Sequence, residues 1–75
     1  MNPYHKDVSK LKSVDVYSVL VLFDVRSHPI GHAIKKLLCA GKRGAKDYRQ
    51  DLIEAIASIE RELQMMDEEN NNDVR

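Results

Sequence analysis

Apolar residues fall into three blocks along the chain, and the residues outside them are polar. Residues 1–12 carry no hydrophobic period and read as an extended arm. In the first block Val14, Val16, Tyr17, Val19, Leu20, Val21, Leu22 and Phe23 leave only Asp15 and Ser18 polar. Its β-branched residues suit a strand. Its length, and the lack of any partner strand elsewhere, select a helix from about Val14 to Val25, buried on several sides and capped by Ser13.

Arg26, Ser27 and His28 form the next turn, and Pro29 sits in the first turn of a second helix, where its missing N–H is harmless. That helix runs to about Ala40. Ile30, Ala33, Ile34, Leu37 and Leu38 form its apolar face, with His32, Lys35, Lys36 and Cys39 mostly elsewhere on the cylinder. Gly41 is placed to end it in a left-handed cap, and Gly44 ends the turn. Asp47 followed by Gln50 resembles a capping box, so a third helix should start between residues 46 and 48. Its pattern is the most regular in the chain: Leu52, Ile56, Ile59, Leu63 and Met66 recur in alternating steps of four and three, an a/d seam suited to an antiparallel helix pair or an oligomer. Glu60, Arg61 and Glu62 fall on its polar side, and residues 67–75 read as a disordered acidic tail. The expected fold is all-α: a small three-helix domain over 13–66, an N-terminal arm over 1–12 and the tail.

Length sharpens this picture. At 75 residues the chain forms one domain with a marginal core, and self-association, through the seam of the third helix, is the natural remedy. One cysteine, Cys39, makes no internal disulfide, and no Cys/His cluster offers a structural zinc site. Cys39 reads as a small core residue in a reducing compartment. The apolar block at 14–25 is too short to span a membrane, and no export signal is visible, so a soluble cytoplasmic protein is expected.

Charge adds an asymmetry that the zero net charge hides. The first fifty residues hold ten cations and four anions (10 − 4 = +6), and residues 51–75 hold two cations and eight anions (2 − 8 = −6). Between Lys35 and Arg49 six cations face only Asp47. An anionic ligand is one reading of this edge, and docking of the basic turn on the acidic helix of another subunit is the other. Gly41-Lys42-Arg43-Gly44 lacks the spacing of a P-loop, yet it combines glycines, cations and the free N–H groups of the following helix. A Gly-terminated turn with solvated cations explains the same residues. His32 lies one turn before Lys35 and Lys36 and extends the cationic edge. Asp47 and Asp51, four apart, are placed to hold Mg²⁺ against a phosphate, while helix capping and solvent exposure account for them equally. No nucleophile and base are paired in the sequence. The acidic third helix and tail argue against nucleic acid as the partner.

The run from Gly31 to Gly44, followed by Asp51-Leu52-Ile53-Glu54-Ala55-Ile56 and Ile59-Glu60-Arg61-Glu62, resembles a small bacteriophage family labelled phage nucleotide kinase. Gly31, Ala33, Lys35, Ala40, Gly41, Lys42, Asp51, Leu52 and Ala55 match its pattern, and Val14-Asp15-Val16 corresponds to an upstream element. His32, Lys36, Cys39, Glu54 and Ser58 depart from it at polar positions. The resemblance covers about residues 13–63. It implies a phage-encoded protein of the infected host cytoplasm that binds a nucleotide or related phosphorylated small molecule, for phosphoryl transfer or for sequestration. Lys35, Lys36, Lys42 and Arg43 would hold phosphate and His32 the base or sugar. The alternative is an interaction protein that blocks a host enzyme or defence factor through its charged surface and seam.

Overall fold

The computed structural model describes residues 2–42, 44 and 47–73. Three helices, α1 (Val16–Leu22), α2 (His28–Leu38) and α3 (Tyr48–Asp73), account for its regular structure, with no strand among the described residues. The all-α expectation holds, and the first block is a helix despite its β-branched residues.

α1 is shorter than the apolar block. Ser13 is exposed, and Asp15 is the N-cap in its place. The Asp15 carboxylate accepts the Ser18 N–H at 2.8 Å, and the Ser18 hydroxyl lies 3.5 Å from the Asp15 N–H, completing a capping box. Bonds from the Ser18 N–H and hydroxyl hold the Asp15 carboxyl below its ordinary value. At the other end Asp24 turns left-handed at φ 55°. Its N–H reaches the Val21 carbonyl, and the Val25 N–H reaches that of Leu20, which is the Schellman closure with an aspartate where glycine is usual. The chain therefore leaves the helix two to three residues before Val25. No residue of α1 is fully buried.

Ser27 caps α2, accepting the Ile30 N–H on its hydroxyl oxygen, and Pro29 occupies the first turn. α2 ends at Leu38 rather than Ala40, with Cys39 as its C-cap. Gly41, at φ 73°, turns the chain back; a Cβ there would approach that of Tyr48 to 3.2 Å, so both backbone and space favour glycine. Asp47 starts α3 by accepting the Gln50 N–H at 2.6 Å. The Gln50 side chain does not return to the cap. It donates instead to Glu54, one turn on.

α3 continues to Asp73, so residues 67–73, expected as part of a disordered tail, are helical; residues 74 and 75 lie outside the described residues. The physical reason lies in the run Glu62-Leu63-Gln64-Met65-Met66, whose straight-chain residues propagate a helix well, and in the Arg61–Glu68 pair at 2.9 Å along its surface.

α2 and α3 form an antiparallel hairpin, and its packed face is not the apolar seam. Asp51 and Ala55 of α3 are buried, as is Ala33 of α2, and Ser58, Glu62 and Met65 are half-buried on the same side of α3. That row repeats in steps of four and three, one residue behind the seam. Polar links between described residues cross the hairpin. The Ser27 hydroxyl donates to Glu62 at 2.7 Å, Lys36 pairs with Glu54, and the Gly41 N–H donates to Asp51 at 2.8 Å. Leu37 and Leu38, expected on the core face of α2, are about half exposed, while Ile30 and Ile34 are half-buried. Residues 2–12 form two local turns, and Lys6 lies over the ring of Phe23 at 5.2 Å, which brings the arm to the end of α1.

A non-glycine residue in the left-handed region carries a steric cost, and the Asp24–Arg26 pair that accompanies it is too exposed to offset much. Asp24→Gly should therefore raise stability by about 0.5–1 kcal/mol, a rise of several degrees in a thermal melt. A lower melting temperature would contradict the Schellman assignment.

Candidate functional site

Two regions compete for the site: the basic turn after α2, and an open groove between α1 and α2. The turn is largely committed to structure. Lys36, one of the expected phosphate ligands, is mostly buried between α2 and α3 and paired with Glu54, which also accepts from Gln50 at 2.9 Å. Lys42 is exposed, and its backbone N–H bonds the Cys39 carbonyl. Arg43 and Lys46 lie outside the described residues.

The two carboxylates expected at a Mg²⁺ ion are placed differently from each other. Asp47 is exposed and caps α3, whereas Asp51 is fully buried and receives the Gly41 N–H. They do not share an open face, and among the described residues no group of three or more His, Cys, Asp or Glu side chains is arranged to hold a metal. This donor set does not fit a shared divalent ion. A buried carboxylate needs such partners, because an ion taken from water without them is strongly destabilising. Asp51 thus acts as the anchor that ties the α2 turn to the first turn of α3, where the helix dipole also favours its charge.

The groove is open, about 290 Å³, and lies along the outer face of α2. His28, His32 and Lys35 line it at steps of four and three residues, which puts them on one side of the helix. Tyr17 of α1 and Arg26 of the connecting turn face them, and Leu20 and Val25 supply an apolar wall. The ammonium of Lys35 sits 5.4 Å from the Tyr17 ring centre and 3.4 Å from its hydroxyl oxygen, so aromatic and cation are held together. No acidic side chain among the described residues lines the groove, although Asp24 pairs with Arg26 at 2.9 Å beside it. The Schellman turn at Asp24 creates it, because reversing the chain there sets Val25 and Arg26 beside α2.

Of the residues expected to bind a ligand, the structure brings together His32 and Lys35, and separates them from Lys36 and Lys42. Tyr17, Arg26 and His28 complete the constellation and were not anticipated. The spacing of His28, His32 and Lys35 was available as a signal; the arrival of Tyr17 and Arg26 was not, since it depends on the turn geometry. No protein-family model matches the chain, and no curated protein or solved structure matches it.

The different placements of the two aspartates have measurable consequences. Asp51→Ala should destabilise by about 2–3 kcal/mol, as expected for loss of a charged acceptor from a buried site, and Asp47→Ala by about 1 kcal/mol, the usual value of an exposed cap. Urea unfolding of the two variants tests the difference, and equal losses would contradict the anchoring role of Asp51.

Proposed function

We propose that the protein binds a phosphorylated small molecule carrying an apolar or aromatic part, a mononucleotide being the type, in the groove between α1 and α2. The observation that carries this reading is the convergence of His28, His32 and Lys35, with Arg26 beside them in its pair with Asp24, on one groove that no acidic side chain lines among the described residues, in a chain with no net charge. The Lys35 ammonium and the imidazole donors suit a phosphate, and the groove offers Tyr17 and the Leu20–Val25 wall to the remainder of the ligand. Its volume of about 290 Å³ lies just below the roughly 300–1,000 Å³ typical of ligand sites, which fits a monophosphate better than a dinucleotide.

This ligand class is also the one that the family resemblance implies, with the site moved from the 41–44 turn to the groove. Binding or sequestration is the activity the groove supports. Phosphoryl transfer would need positioned groups that the lining residues do not include. A second reading, an antagonist of a host protein, draws on the apolar residues exposed along α3. No helix among the described residues is long and apolar enough to cross a membrane, and neither reading requires one.

Thermal shift with AMP, ATP and inorganic phosphate, each with and without Mg²⁺, tests the proposal. A ligand at about 100 times its Kd stabilises by about 2.7 kcal/mol, so the melting temperature should rise by several degrees. The shift should vanish in His32→Ala/Lys35→Ala and persist in Lys42→Ala/Arg43→Ala. The reverse pattern would place the site in the turn, and a flat response to all three probes would remove the small-molecule reading.

A further inference from the structure

The face of α3 that flanks the one packed on α2 carries the regular apolar seam, and beyond the half-buried Leu52 the monomer leaves it open. Ile56 is 57%, Leu63 55%, Met66 50% and Ile59 40% exposed. These residues lie on one stripe about 21 Å long, from Leu52 to Met66 at 1.5 Å per residue. Scattered surface apolars are ordinary, but a continuous heptad stripe of this length on a small protein marks an interface.

Area points the same way. A compact chain of 8.6 kDa exposes about 4,700 Å². This chain exposes 6389 Å². The excess of about 1,700 Å² is twice the roughly 800 Å² that each partner contributes to a standard interface. The exposed arm and the projecting end of α3 share this excess with the seam.

We infer that α3 pairs with α3 of a second copy of this chain in an antiparallel coiled-coil interface along Leu52, Ile56, Ile59 and Leu63. The seam sets the register: Leu52 faces Leu63 of the partner subunit and Ile56 faces Ile59 of the partner subunit, which makes four apolar layers. Charge sets the direction. Residues 60–69 hold five acids and one arginine (1 − 5 = −4), while Arg49 lies in the first turn of α3, at its opposite end, and Lys42 in the turn before it. An antiparallel pair brings each basic end to the partner's acidic end, while a parallel pair would stack the acidic ends and oppose the helix dipoles less favourably. The inference is independent of the groove, which lies on the α1 side of α2.

Sedimentation equilibrium of the full chain at tens of micromolar should give twice the 8.6 kDa chain mass. Ile59→Glu should give the single-chain mass with unchanged helical circular dichroism, because this side chain is 40% exposed in the single chain, and Ile59→Leu should keep the dimer. A monomeric wild type, or an Ile59→Glu variant that stays dimeric, would overturn the interface. Direction is read by disulfide trapping in a Cys39→Ser background. Arg49→Cys and Met66→Cys chains should cross-link with each other and not with themselves. Self-linking of either chain, or no mixed product, would overturn the antiparallel register.

Discussion

The α2–α3 hairpin closes on a polar anchor, and most of the molecule follows from it. Asp51 is the only charged side chain among the described residues that is completely buried, and its bond to the Gly41 N–H fixes the turn of the hairpin at its tightest point. A carboxylate in that position is stable only where donors and a helix N-terminus meet it. The remaining contacts continue the same logic. Ala33 and Ala55 are small, and Lys36–Glu54 and Ser27–Glu62 are polar links that hold α2 and α3 in one register along their length. Such pairs specify alignment more than they add stability, since the desolvation of each partner offsets much of its attraction.

Committing this face to small and polar residues leaves the bulky ones outside. The Leu52-to-Met66 seam, the two leucines at the end of α2 and much of α1 therefore stay partly in contact with water. The overall dimensions, 49 × 37 × 16 Å, are those of a thin plate rather than a sphere. Its radius of gyration of 15.4 Å exceeds the roughly 11 Å of a compact domain of this length. Two of its surfaces are left open, the groove beside α1 and the apolar stripe on α3, the first proposed for a phosphorylated ligand and the second for a second copy of the chain.

Much of the fold was legible in the residues. Pro29, Gly41 and Asp47 mark the start of α2, the turn after it and the start of α3, because cap and turn chemistry is local. The seam was legible as well, but its phase relative to α2 was not. Hydrophobicity picks out the large side chains, and here the intramolecular contact uses Asp51, Ala55, Ser58 and Glu62, one position earlier, whose fitness depends on partners in α2. The cap at Asp15 and the left-handed Asp24 were missed for a related reason: Ser13 was an equally good local candidate, and Asp is an uncommon choice where glycine is usual. At the site, His32 and Lys35 could be read from helix spacing. Tyr17 and Arg26 reach the groove only through the turn at Asp24, and Lys36 is drawn away by Glu54, contacts that no local pattern encodes.

Native-state hydrogen exchange at the Gly41 amide tests the anchor most directly. This N–H sits in an exposed turn, and among the described residues its hydrogen-bond partner is the Asp51 carboxylate, on which its protection depends. The account predicts that it exchanges as slowly as the amides of Ala33 and Ala55 in the hairpin interior. Exchange at the rate of an open loop, with those interior amides still protected, would show that the hairpin closes without Asp51 and would contradict the account.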